Sequence, residues 1–419
     1  MFDADRWIEI WVTITRNKTR SLLTCFGVFW GILMLIVLLG SGTGLKNSIL
    51  GTVKGFATNS IFIFSDRTSE PYQGFNKGRF WNMRNRDLET IQHEVKGVDA
   101  ISPLMMGGRS DKNIVYGSVS GTYNVKGVNA DYFRIESQEL HFGRLLNDID
   151  LREKRKVCLI GSRVCEELFK NEDPCGKYVR VNGLYYQVVG VVKQIASGIN
   201  LNGRAEESVF LPSSTMQQTL NQGDIIHLLC ISAIPGHPIQ QLIDDVTDIL
   251  KRQNKISPTD PQAVTIINLA AQFNLIVSLF TGIDFLVWLV GLGTLLSGII
   301  GISNIMMVTV KERTREIGVR RAIGAKPWNI ISQVMSESLI LTAMAGLMGL
   351  SLGVFLLDLV DKILSAQPPD SEIALRNPGV DIGTAVVATI VLLVCGLLAG
   401  LIPAWRAMKI KAIDAIREE

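Results

Sequence analysis

The residues best placed to do chemistry lie between Lys311 and Lys326, in the stretch KERTREIGVRRAIGAK. Charged side chains there are interleaved with Ile317, Val319 and Ile323. Glu316 and Arg320 are four residues apart, a favourable ion pair along a helix. Gly324 suits a left-handed cap, and Pro327 suits the first turn of a following helix. A solvated basic loop would explain the charge. It would not explain a short capped helix carrying apolar side chains, and that combination suits insertion into a groove on a partner. The chemistry is recognition.

Covalent chemistry has no comparable candidate. The sequence has no GxxxxGK[ST] loop, its one Gly-Lys pair being Gly176-Lys177 followed by Tyr178. HExxH is missing, and His93, His141, His227 and His237 have no metal-ligand spacing. No residue reads as catalytic, cofactor-binding or metal-binding. Of 419 residues, 47% are hydrophobic and 19% charged, with a net charge of +3. So few charges argue against a disordered or nucleic-acid-coating chain and for a membrane protein.

Four charge-free apolar runs must carry these residues: Ser21 to Leu45, Phe285 to Val310, Ser338 to Leu357 and Ile382 to Trp405. Each spans a hydrocarbon core of about 30 Å as a helix. The first starts late and is long, so it reads as an uncleaved anchor. Asp284 and Asp358 stand at the edges, leaving no relay of ionisable groups at depth. Lys and Arg crowd residues 1–20, the 311–326 stretch and the tail, whereas the 358–381 connection is mainly acidic. The positive-inside rule therefore puts both termini in the cytoplasm and residues 46–283 outside.

Trp7, Ile10, Trp11 and Ile14 share one helical face, which fits either the cytoplasmic membrane interface or a protein partner. Small residues recur every four positions in all four spans: Gly27 and Gly31; Gly293, Ser297 and Gly301; Ala345, Gly349 and Gly353; Gly396, Gly400 and Ala404. Such faces allow close helix packing, within one chain or in a dimer.

The long excursion reads as mixed α and β. Ser60 to Phe64, Lys156 to Ile160 and Tyr185 to Val192 are expected strands; Arg163 to Phe169 and the periodic 239–250 segment are expected helices. Asp173 to Gly176 reads as a turn and Val181 to Leu184 as a hairpin. An oxidising compartment would permit one disulfide among Cys158, Cys165, Cys175 and Cys230, although Cys158 reads as core filler. Ala263 to Ile283 is uncharged, with Asn268, Gln272 and Asn274 as polar residues, and reads as a helical stalk continuing outward from the second span.

The block Glu312 to Ala325, ERTREIGVRRAIGA, resembles the signature of MacB/FtsX-type ABC transporter permeases after their second span. The tail PAWRAMKIKAIDAIR, residues 403–417, is similar to their closing motif, with Ile413 where that motif usually has proline. His141 to Arg144 with Asp150, Val157 to Gly161, Leu168 to Lys177, Tyr186 to Val192 and Val209 to Pro212 resemble the MacB-like periplasmic core.

The resemblance implies an α-helical membrane protein with four transmembrane helices and a large α+β periplasmic domain between helices 1 and 2. Its divisions are a cytoplasmic amphipathic helix at 1–20, span 1 at 21–45, the periplasmic core domain at 46–262, stalk and span 2 at 263–310, and a coupling helix with its connection at 311–333. Span 3 at 334–357, a periplasmic loop at 358–381, span 4 at 382–405 and a cytoplasmic tail at 406–419 complete it. The implied coupling residues are Glu312, Arg313, Arg315, Glu316, Ile317, Gly318, Arg320, Arg321, Gly324 and Ala325. The resemblance further implies no fused ATPase domain, a separate cytoplasmic ABC ATPase dimer holding ATP and Mg, and a permease homodimer or related heterodimer in the inner membrane. A periplasmic adaptor and an outer-membrane channel belong to the efflux reading. Lipoprotein release, and FtsX-like signalling to cell-wall hydrolases, are its alternatives.

Overall fold

A computed structural model describes residues 18–53, 55–108, 112–170, 172–195, 203–365, 378–380 and 382–409. The expected amphipathic face at Trp7 to Ile14, most of the 358–381 connection and the closing motif after Lys409 lie outside the described residues. The chain forms two compact units, Leu50–Val277 and the pair of segments Met1–Ile49 and Ser278–Glu419. Helix α1 spans Lys18–Val53 and so runs beyond the expected end at residue 45. Its continuation through Lys46, Asn47 and Ser48 meets no helix breaker before Gly51.

The unit Leu50–Val277 starts with β1 (Ser60–Ser65), β2 (Met83–Arg84), α2 (Asn85–Glu94) and β3 (Val98–Met106). The hairpin β4 (Asn113–Tyr116) and β5 (Val119–Thr122) leads to β6 (Asn124–Val128), α3 (Tyr132–Ile135), β7 (Gln138–Gly143) and α4 (Asp148–Arg152). Then come β8 (Val157–Gly161), α5 (Ser162–Phe169), β9 (Tyr178–Val181), β10 (Leu184–Gln194), β11 (Ser208–Pro212) and α6 (Ser213–Thr219). The unit closes with β12 (Ile225–Ile226), β13 (Leu228–Ala233), α7 (Ile239–Gln253) and β14 (Val264–Asn268).

Twelve strands form one sheet in the order β14-β1-β13-β3-β6-β11-β8-β10-β9-β4-β5, with β7 also on β10. It is mixed: β6 with β11 and β8 with β10 are parallel, and the other neighbours are antiparallel. β13 is buried along its whole length. Leu229 and Ile231 face a core with Leu242, Val246 and Ile249 of α7, while Leu228 and Cys230 face a second core with Tyr132 and Phe210. A third core joins Val164 and Leu168 of α5 to β8, β9 and β10. Strand period two explains the division, since successive residues face opposite sides.

The expected strands and helices lie at the expected places, with small shifts at their ends. Asn182 and Gly183 both have positive φ, 46° and 83°, as a two-residue hairpin turn requires. The motif at Gly143 and Arg144 also gains a physical basis. Gly143 has φ 75°, and Arg144 makes a two-pronged ion pair with buried Asp150 at 2.6 and 3.0 Å. Burial would raise the Asp150 carboxyl, but the Arg144 hydrogen bonds, the Asn147 N–H and the charges of Arg144 and Arg155 together outweigh it and hold it below its ordinary value. All six cysteines are free thiols; Cys158 and Cys230 are buried in separate cores.

The stalk begins later than expected. Residues 264–268 form β14, paired antiparallel to β1 from Ile61–Asn268 to Ser65–Val264, so the helix starts at Leu269. Asn268 Oδ1 accepts the Ala271 N–H at 2.9 Å and caps that helix. Just before β14, buried Asp260 accepts hydrogen bonds from Ser69 Oγ and from the N–H groups of Ser69, Glu70, Gln262 and Ala263. Burial opposes its charge, yet the Ser69 hydroxyl and these N–H groups pull its pKa from 3.8 down to about 2.

A depressed carboxylate stabilises the fold fully above its unfolded pKa, and that contribution is lost as pH falls through the folded value. Asp260 is therefore expected to contribute about 2 kcal/mol at neutral pH and to lose it between about pH 4 and pH 2. Asp260→Asn, which sets an NH2 against N–H donors, is expected to remove about that much at pH 7. Urea unfolding at pH 7 and pH 3, wild type against variant, checks this. A wild-type advantage that is the same at both pH values would contradict it.

The second unit continues with α8 (Leu269–Glu312), α9 (Thr314–Ala322), α10 (Pro327–Ser365) and α11 (Ile382–Met408). α1, α8, α10 and α11 are each long and apolar enough to cross a membrane. Val28, Ile32, Leu35 and Ile36 of α1 are the centre of their shared core, with Leu295 and Ile302 of α8.

Candidate functional site

Three polar ties hold the short helix α9 against the bundle. α8 ends at Glu312, and Arg313, at φ −98° and ψ 10°, interrupts the helix before Thr314. Lys311 and Glu312 therefore belong to the long helix, a turn less for the short one than its charge pattern suggests. The Arg313 guanidinium reaches Glu337 Oε1 of α10 at 3.1 Å. Arg320 donates to Gln333 Oε1 at 3.0 Å and to Glu316 Oε1 at 2.8 Å, the latter being the i,i+4 pair expected from spacing. Arg321 donates to the carbonyl oxygen of Met408 in α11 at 2.7 Å. A helix held at three points in this way has a fixed azimuth.

Its end is equally defined. Gly324 has φ 97°; its N–H bonds the Arg321 carbonyl at 3.1 Å, and the Ala325 N–H bonds the Arg320 carbonyl at 3.0 Å. These two bonds make a Schellman cap, and only glycine takes that φ without strain. Pro327 then opens α10.

The expected coupling residues divide into three groups. Ile317 and Gly318 are buried, Ile317 in the bundle core. Arg313, Arg320 and Arg321 serve as ties. Glu312, Arg315, Glu316 and Gly324 are exposed and Ala325 is half-buried; Val319 and Ile323, outside that set, are exposed as well. Ile317 thus faces its own chain and not a partner, contrary to the expectation that all three apolar residues are free to insert. Ile323 is 82% exposed, and Trp328, which sequence reasoning passed over, is 72% exposed. Glu337 and Gln333 were also missed. Glu337 stands immediately before an apolar run, where a single charge reads as a boundary, although it is 5% exposed.

The small-residue faces fare unevenly. Gly27 lies against Gly298, with 3.4 Å between the place of a Cβ and the Gly298 Cα, and Gly31 is as close to Leu295. A Cβ on Gly349 would sit 2.6 Å from the Phe29 carbonyl oxygen, and one on Gly353 2.7 Å from Ile36. Gly396 meets Thr342 at 3.1 Å, and Gly400 meets Met335 and Ser338. On α8 the expected face is not the one that packs within this chain. Gly293 and Ser297 are exposed, Gly301 is half-buried, and nothing stands within 4 Å of a Cβ on Gly293 or Gly301. Gly291 and Gly298 make the approach, to Leu35 and Val28.

The profile of the MacB-like periplasmic core domain matches residues 21–249, more than half of the chain, and that of the FtsX-like permease C-terminal region matches residues 288–412. The chain belongs to the MacB/FtsX-type ABC transporter permease family. Named relatives are macrolide export ATP-binding/permease proteins MacB. That of Bdellovibrio bacteriovorus is 26% identical over 97% of this chain and 60% of its own length. That of Chlorobaculum tepidum is 29% identical over 98% and 61%, and that of Neisseria meningitidis 27% over 100% and 62%. This permease therefore spans about three fifths of these relatives' length. Among solved structures, the periplasmic region of MacB from Actinobacillus actinomycetemcomitans is 22% identical, with a TM-score of 0.44 over 55% of this chain and 97% of that one. The extracellular domain of the ABC-type transporter YknZ from Gram-positive bacteria is 17% identical, with a TM-score of 0.41 over 50% and 100%.

Proposed function

We propose that this permease is the moving membrane subunit of an ABC exporter, and that α9 receives the stroke of a separate cytoplasmic ATPase dimer. The observation that carries the reading is the construction of α9: its inner side is tied to α10 and α11, while Val319, Ile323 and Trp328 stand exposed beside Arg315 and Glu316. A helix so fixed moves the bundle when it is pushed, whereas a loose basic loop would absorb the push. ATP and Mg belong to the partner in this reading, which agrees with the missing phosphate-binding loop.

Helix α8 offers a way across. It is 44 residues long, about 66 Å at 1.5 Å per residue, and starts at the residue after sheet strand β14. Motion given to α9 reaches the external domain along it, so the work is delivered outside the bilayer. Both termini and α9 are cytoplasmic by the distribution of Lys and Arg. A second permease copy or a related chain completes the pair, and a periplasmic adaptor and outer-membrane channel would take the cargo onward. Macrolide export, which the relatives' names state, is the first cargo to try.

The test is co-purification with the ATPase encoded nearest to this permease. The double change Glu316→Ala, Arg320→Ala is expected to weaken the complex about tenfold and to lower permease-stimulated ATP hydrolysis in step, with membrane insertion intact. Full stimulation in the variant, or ATP binding by the permease purified alone, would refute the reading.

A further inference from the structure

Beside the 55–57 segment that follows α1 in the chain, the unit Leu50–Val277 buries a group of ionisable side chains for which the proposed stroke has so far no role. Lys126 in β6 and Tyr132 in α3 are fully buried, and Glu136 is 4% exposed. The Tyr132 hydroxyl donates to Glu136 Oε2, and Gln138 Nε2 donates to Glu136 Oε1 at 3.0 Å. Lys126 Nζ donates to the Gly203 carbonyl at 2.8 Å, and its charge acts on Glu136 through the core. Burial pushes the Glu136 carboxyl up and the Lys126 ammonium down, and each charge opposes the shift of the other.

The backbone at Glu136 is also where the chain leaving α1 joins the domain. Phe56 and Glu136 form an antiparallel bridge. The Ala57 N–H bonds the Ile135 carbonyl at 2.8 Å, and the Ser137 N–H bonds the Gly55 carbonyl at 2.7 Å. Phe56 packs in the core that holds Tyr132, Ile135 and Phe210. Leu269, the first residue of α8, is in that core as well, so the segment that follows α1 and the start of α8 share it. Apolar contacts alone permit sliding, because they have little directional preference. A buried carboxylate with fixed donors has one geometry.

We propose that Glu136 is a positioning residue that locks the 55–57 segment to the central sheet, so that motion of α1 passes into β6 and is not dissipated at the junction. The inference rests on the reading that the long helices carry the stroke. It nevertheless has a test that needs no ATPase: hydrogen exchange of the full chain in lipid nanodiscs. Glu136→Ala is expected to speed exchange at the Ala57 and Ser137 amides about tenfold, with Ile101 and Ile231 of the sheet unchanged. Glu136→Gln, which keeps one acceptor oxygen and sets an NH2 where the other stood, is expected to fall between Glu136→Ala and wild type. Lys126→Met is expected to speed the same two amides less than Glu136→Ala does.

Wild-type exchange at Ala57 and Ser137 in Glu136→Ala would overturn the lock, as would equal acceleration across the whole sheet. In the complex with the ATPase, Glu136→Ala is expected to keep ATP hydrolysis and lose cargo export per ATP. Undiminished export there would also overturn it. Failure of the reading at α9 is distinguishable, since it alters ATPase binding and leaves exchange at Ala57 untouched.

Discussion

Glu337→Ala is expected to destabilise the membrane unit by about 3 kcal/mol and to release α9 from α10. Glu337 lies within α10 with its side chain 6% exposed, and the Arg313 side chain facing it is 25% exposed. Taking two charges out of water is unfavourable, and their attraction offsets this only while both remain. Removing the carboxylate takes away the guanidinium's ion-pair partner in α10 while its side chain stays three-quarters buried. The double variant Arg313→Ala, Glu337→Ala is therefore expected to lose less than the sum of the two single changes, by about 1–3 kcal/mol. Lys362 and Asp358 give the comparison, a pair at 2.7 Å with both side chains more than half exposed. Lys362→Ala is expected to change stability by less than about 1 kcal/mol. Thermal unfolding in detergent, with hydrogen exchange across 313–323, measures all four variants. A Glu337→Ala loss no larger than that of Lys362→Ala would mean that Arg313 finds equal solvation elsewhere, and α9 would not be fixed as described.

The spans were legible because an apolar run of 20 residues has few other uses, and α9 because its cap and its ion pair are local. What could not be read depends on partners distant in sequence. Ala263 to Asn268 has no charge and precedes an apolar helix, so it reads as more helix; its strand state comes from β1, some 200 residues earlier. Gly291 and Gly298 are seven residues apart and share one side of α8, while Gly293, Ser297 and Gly301 share another. Four-residue spacing finds only the second stripe, and the rotation that buries the first is set by Val28 and Leu35 of α1. Glu337 looked like the edge of a span because its partner, Arg313, is 24 residues upstream across a turn. Lys126 and Glu136 gave no signal at all: in sequence each resembles a solvated charge, and only the sheet makes them buried neighbours.

Gly161→Ala is expected to destabilise the external unit by about 3 kcal/mol or more, although Gly161 has an ordinary φ of −69°. The glycine is there for room. A Cβ at this position would overlap the carbonyl oxygens of Ala205 and Glu206, which belong to the 3-10 turn Ala205–Glu207 leading directly into β11. Both obstacles are main chain, so no rotamer change relieves them. β8 is also hydrogen-bonded on both sides, to β11 and β10, and cannot shift without breaking a ladder. Gly176→Ala isolates the other use of glycine. Gly176 has φ 84° with nothing within 4 Å of a Cβ, so alanine there meets backbone strain alone and is expected to lose about 1 kcal/mol. Urea unfolding of the two variants, with exchange at the β8 and β11 amides, separates steric overlap from strain. Equal losses would show that the Ala205–Glu207 turn gives way easily. The Val157 to Gly161 motif would then owe its glycine to something other than this close approach.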